Sequence, residues 1–237
     1  MQIPLDVPLF MFIFLSTITG YNFVKYAGIA RFKHRNLPGN LQLIQVFSFL
    51  CFLALVYFAT KIKVEVLLFA LLLGCLNLLY AVPLFKRKNL RAIGGIKVFI
   101  IALIWTGATV LLPVIDYGSS SGNLPFLVVQ RFFFVLVLLI PFEIRDLQYD
   151  PPELRTIPQR IGQRGSRVLG LVLLIIIALV NTFKQGLTTE MLIVDMIIYL
   201  TTAFLVWNAK ERQGPYHSTF LVEGIPILWV ALCWIFL

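Results

Sequence analysis

Eight apolar stretches, each close to the ~20 residues that cross a bilayer core, constrain this chain more than any other feature. They run over 4–20, 41–60, 64–84, 96–115, 124–142, 166–183, 191–208 and 218–237. Lipid offers no partner to an unpaired backbone N–H or C=O, so runs of this length must close their hydrogen bonds internally. The expected fold is all-α, a polytopic transmembrane helical bundle of eight spans. A membrane β-barrel would instead show ~10-residue segments of alternating polarity. Composition agrees: 59% of the 237 residues are hydrophobic and 13% charged. A soluble enzyme of this length has too little polar surface at that ratio to cover its core. No linker or internal repeat divides the chain, so residues 1–237 read as one transmembrane domain.

The loops orient the bundle. Sixteen of the 20 basic residues fall in alternate loops: Lys25 to Arg35, Lys86 to Lys97, Arg145 to Arg167, and Lys210 with Arg212. The other loops hold Lys61, Lys63 and Lys184, and Arg131 lies inside a span. Basic loops stay cytoplasmic, which places both the first residues and the C-terminus outside. The same rule accounts for the net charge of +9 without nucleic acid. Cys51, Cys75 and Cys233 lie in apolar runs with no metal or disulfide spacing. The N-terminus lacks a basic region and a cleavage site, so the first apolar run reads as a permanent helix.

The sharpest chemical signal follows the fifth span: Glu143-Ile-Arg-Asp146-Leu-Gln-Tyr-Asp150. Acids at i, i+3 and i+7 fall within about 60° of one helical face, and Pro151-Pro152 ends the helix. Three converging carboxylates repel unless a cation joins them, and hard oxygen donors suit Mg²⁺. The simpler reading is a solvated helix end with Arg145 paired to the acids. Arg155, in the following basic segment, offers a fork for an oxyanion. Deeper in the membrane, Arg131 and Asp195 lie at similar depths and are expected to form a structural ion pair.

The stretch FEIRDLQYDPPELRTIPQRIG resembles the second aspartate-rich motif of the UbiA superfamily of intramembrane prenyltransferases. Glu143, Asp146 and Asp150 stand at its acidic positions, and Arg155, Thr156, Pro158 and Gly162 match its tail. Residues 79–113 look like the segment joining the family's fourth and fifth helices. The resemblance implies a nine-helix fold, here lacking its first helix. It implies an enzyme that transfers an isoprenyl group from a prenyl diphosphate to a lipophilic, aromatic or quinone-precursor acceptor at the cytoplasmic face of a bacterial inner membrane. By that resemblance Asp146 and Asp150 are catalytic, and Glu143, Asp146 and Asp150 hold Mg²⁺. Asn22, Lys25, Tyr80, Lys86 and Arg155 contact the diphosphate. The first aspartate-rich motif is degenerate: YNFVKYAGIA keeps Asn22 but has Phe23, Tyr26 and Ala30 where the family has acids. Lys25 there reads either as one more inner-face cation or as a replacement for a metal charge against diphosphate. This loss leaves a second reading open, a non-catalytic homologue that binds an isoprenoid or quinone-like lipid. A further helix is expected to precede Met1.

The topology is tested by impermeant thiol labelling. A cysteine at Ser120 is expected to label in intact cells and one at Gln148 only after lysis; the reverse pattern would put the acidic cluster on the outer face.

Overall fold

The computed structural model describes residues 6–30, 39–81, 95–118, 122–214 and 216–236. These residues are helical throughout their ordered elements, with no strand among them. The helices are α1 (Val7–Ala30), α2 (Gly39–Ala59), α3 (Val64–Ala81), α4 (Lys97–Thr106), α5 (Leu112–Tyr117), α6 (Leu124–Asp146), α7 (Ile157–Thr182), α8 (Thr189–Asn208) and α9 (Ile225–Phe236). Wider π-helical turns at Gly107–Leu111 and His217–Val222 precede α5 and α9. Seven helical stretches are long and apolar enough to cross a membrane, and α1 adds a shorter apolar run, Val7–Phe23. The chain is therefore built as an integral multi-pass membrane protein.

The chain divides into two compact units: 1–91 with 107–120, and 92–106 with 121–237. In the first, α1 packs on α2 and α3. Leu9, Val66 and Leu112 form its small core. Asn22 Nδ2 donates to Ser48 Oγ at 2.7 Å, tying α1 to α2. Large apolar side chains such as Leu43, Phe49 and Leu72 are exposed, as lipid-facing residues should be.

The second unit holds the larger core. On α6, Phe134, Val137, Ile140 and Ile144 recur at helical spacing and are fully buried. They meet Leu174 and Ile177 of α7, and Ile198, Leu205 and Val206 of α8. Close approach is possible because α7 presents Gly170. A Cβ there would lie 2.8 Å from Val206 Cγ1 and 3.0 Å from Ile140 Cδ1. Three of its helices start with recognisable chemistry. Pro125 occupies the first turn of α6. The Thr156 N–H donates to Gln159 Oε1 at 2.9 Å at the start of α7. The Met191 N–H donates to Thr188 Oγ1 at 3.3 Å at the start of α8.

Two boundaries differ from the sequence expectation. The span expected at 166–183 belongs to a helix that begins at Ile157. It breaks at Gly162, whose φ of 73° and ψ of 169° suit glycine alone. The helix expected to run to Pro151 ends at Asp146, where the Tyr149 and Asp150 N–H groups both donate to the Asp146 carbonyl at 2.9 and 2.8 Å.

Gly170→Leu is expected to cost about 1–3 kcal/mol by overpacking the α6–α7–α8 junction. A lowered thermal midpoint in detergent, with helicity retained below it, would show this; an unchanged midpoint would mean that the helices do not approach so closely.

Candidate functional site: a lysine-bridged carboxylate pair

Lys97 opens α4 and packs beside the end of α6, an arrangement fixed by burial of Val98 and Ala102 against Leu136. Its ammonium lies 2.7 Å from Glu143 Oε1 and 3.5 Å from Asp150 Oδ2. Glu143 is 4% exposed. Charges this close in a poorly solvated setting attract strongly, but the pair persists only because neither charge is left alone. The cation that joins the carboxylates here is thus a side chain of the protein.

The early end of α6 makes this possible. Asp150 lies off the helix, in the turn before Pro151, and reaches the ammonium from there rather than from a shared helical face. Gln159 Nε2 holds that turn by donating to the Asp150 and Pro151 carbonyls, each at 3.1 Å. Gln148 Nε2 donates to the carbonyls of Arg145 and Glu211 at 3.3 Å.

Asp146 goes elsewhere. Its Oδ1 accepts from Arg145 Nε and Nη2, both at 2.8 Å. Both guanidinium nitrogens thus share one carboxylate oxygen, in a pair that stays partly exposed. The sequence expectation of three carboxylates on one face therefore resolves into a bridged pair and a separate Arg–Asp fork. Among the described residues, no three or more His, Cys, Asp or Glu side chains are grouped to hold a metal ion.

The donor set fits a single hard cation. Asp150 Oδ2 is buried without a hydrogen bond, and it faces the ammonium that Glu143 also holds. Two carboxylate oxygens around one positive charge match the way one or two carboxylates retain Mg²⁺. Glu143 and Asp150 are the residues that would hold it, with Lys97 as the competing charge.

The neighbouring basic segment is ordered. Pro152–Leu154 forms a short 3₁₀ turn closed by Arg155 in the left-handed region, φ 43°. The Gly95 N–H donates to the Leu154 carbonyl at 3.0 Å, and Arg160 Nε donates to the Arg155 carbonyl at 3.0 Å. The Arg155 side chain is exposed. Of the other residues singled out in the sequence, Asn22 is engaged with Ser48, and Tyr80 is buried in α3. Both belong to the first unit. The Lys25 side chain and all of Lys86 lie outside the described residues.

From the sequence alone, Lys97 reads only as a topology charge. The available signal was its position at the first turn of an apolar helix, where a long basic side chain can fold back to a helix end. The expected Arg131–Asp195 ion pair does not form within contact distance. The Arg131 guanidinium lies over the Trp229 ring, 5.3 Å from its centroid. Asp195 Oδ2 instead accepts from Asn181 Nδ2 at 2.6 Å.

Comparison with protein-family models, curated proteins and solved structures gives no match.

Lys97→Met leaves two facing carboxylates without their cation and is expected to cost about 3–5 kcal/mol. Millimolar Mg²⁺ is expected to restore the thermal midpoint of this variant while leaving the wild-type midpoint nearly unchanged. A variant as stable as wild type and insensitive to Mg²⁺ would remove the ammonium from this role.

Proposed function

We propose that the chain is an integral-membrane prenyltransferase of the UbiA type, acting at the cytoplasmic face of a bacterial inner membrane. The observation that carries the reading is the Glu143–Lys97–Asp150 bridge at the end of an apolar helical unit, adjoining the basic 152–160 turn. A prenyl diphosphate brings two matching parts, an apolar tail for lipid-depth surfaces and a polyanion for cations.

In this reading the diphosphate oxygens draw the Lys97 ammonium from the carboxylates, and Arg155 contributes its fork. Mg²⁺, when bound by Glu143 and Asp150, supplies positive charge to the departing diphosphate. The bond between the isoprenyl C1 and the diphosphate oxygen breaks, and oxygen keeps the electron pair. A π bond of the lipophilic acceptor closes on C1, and the acceptor then loses a proton. Asp146, fixed by Arg145, is placed to orient this end of α6.

A second reading rests on the same contact. Lys97 neutralises the pair from within the protein, and such a site suits a non-catalytic homologue that binds an isoprenoid or quinone-like lipid.

Turnover of a labelled prenyl diphosphate in membranes separates the two. The enzyme reading expects Mg²⁺-dependent diphosphate release that falls at least about 10²-fold in Glu143→Gln and Asp150→Asn, the scale of losing one transition-state charge partner. Metal-independent binding without release, equal in wild type and both variants, would leave the lipid-binding homologue as the better account.

A further inference from the structure

A second polar cluster in the same unit is built around Arg131 and Asp195. It lies toward the opposite end of α6 from Glu143, and the bridged carboxylates make no use of it. Arg131 is seven residues past Leu124, about 10 Å along α6, and Asp195 is six past Thr189, about 9 Å along α8. Lys184 reaches in from the α7–α8 loop to donate to Gln130 Oε1. The Gln130 amide in turn donates to Tyr199 Oη at 2.5 Å. That loop is locked: Asn123 Nδ2 donates to the Gln185 carbonyl, and the Gln185 N–H donates to Asn123 Oδ1, both at 2.8 Å. Phe134 and Tyr199 each meet the Trp229 ring edge-on, with Phe134 and Trp229 centroids 4.9 Å apart.

The donors outnumber the acceptors. Two cations, Arg131 and Lys184, face one carboxylate, Asp195. That carboxylate is already taken by Asn181 and by the Trp229 indole N–H. Arg131 has five N–H groups, and among the described residues its guanidinium packs on the Trp229 ring. An excess positive charge at membrane depth is expensive unless an anion meets it. Arg131, Lys184 and Asp195 are only partly buried, so such an anion can reach them. Met196, next to Asp195 on α8, and Val230, next to Trp229 on α9, expose apolar side chains.

We propose that this cluster binds the phosphate of an anionic phospholipid from the adjacent leaflet, with Arg131 and Lys184 on the oxyanion and the lipid's acyl chains along the exposed flank of α8 and α9. The Arg fork matches a phosphodiester, and the apolar flank favours a lipid over free phosphate. The single excess charge selects an anionic headgroup over a zwitterionic one.

Burial pushes the Lys184 amine down to about 8, with Asp195 opposing the shift and the like charge of Arg131 adding to it. Arg131 of α6 and Asp195 of α8 are the charged groups that act on it, and Gln130 of α6 accepts its hydrogen bond. The ammonium is the binding form, so lipid preference must fall as pH rises through about 8.

The full chain, purified in detergent, is titrated by native mass spectrometry with phosphatidylglycerol or phosphatidylcholine of the same acyl chains, and separately with inorganic phosphate. Wild type is expected to favour phosphatidylglycerol by at least about fivefold, the scale of one basic residue at a lipid surface. Lys184→Gln, in a loop that Asn123 still holds, is expected to lose most of that preference, and raising the wild type from about pH 7 to about pH 9 to mimic it. Arg131→Gln is expected to abolish the preference, and Asp195→Asn to increase it. Equal binding of the two lipids, or an unchanged preference in folded Lys184→Gln, would overturn the proposal. Displacement of phosphatidylglycerol by millimolar inorganic phosphate would assign the site to a soluble anion and overturn the lipid assignment.

Discussion

A charge carried to the edge of a bilayer core is costly to leave uncompensated, and in this protein Lys97 compensates two carboxylates at once. The cost of leaving Glu143 alone at 4% exposure is several kcal/mol. That cost fixes much around it. It requires α4 to lie against α6, which burial of Val98 and Ala102 on Leu136 achieves. It favours ending α6 at Asp146 so that Asp150 can swing to the ammonium. It sends Asp146 to a different cation, Arg145. The short turn that follows is then held by Gln159 and capped by Arg155.

The second unit is thus polar at two separated places on an apolar body. At one, two acids share one base. At the other, two bases share one acid, and a ring face takes what the acid does not. Between them run Phe134, Val137 and Ile140, buried against α7 and α8. Gly170 allows that packing to be tight. The imbalance has opposite sign at the two ends.

Much of the architecture was legible because one solvent constraint dominates it. The spans at 41–60 and 191–208 are set by hydropathy alone, and the helices follow them closely. Hydropathy failed where a helix is charged. Residues 157–165 are helical but polar, so the apolar run appeared to begin at 166; Thr156, Pro158 and Gln159 were the local signals of the earlier start. The acidic stretch was legible as chemistry but not as geometry. Periodicity put three acids on one face, yet it could not show that a base on α4 would claim two of them. That contact joins residues 46 and 53 positions apart. Arg131 and Asp195 share a region, as their depths suggested. The Trp229 ring and the Asn181 amide, from α9 and α7, replace the direct ion pair. Sequence spacing within one helix carries no information about such partners.

The central claim is that the Lys97 ammonium is the charge that keeps Glu143 ionised at the end of α6. A double-mutant cycle on unfolding free energy in lipid bicelles tests it most directly, using Lys97→Met, Glu143→Gln and the double variant. The account expects Lys97→Met to lose about 3–5 kcal/mol, Glu143→Gln, in which Asp150 still faces the ammonium, to lose less, and the double variant to recover part of the Lys97→Met loss, because only Asp150 is then left without its cation. Losses that simply add in the double variant would contradict it.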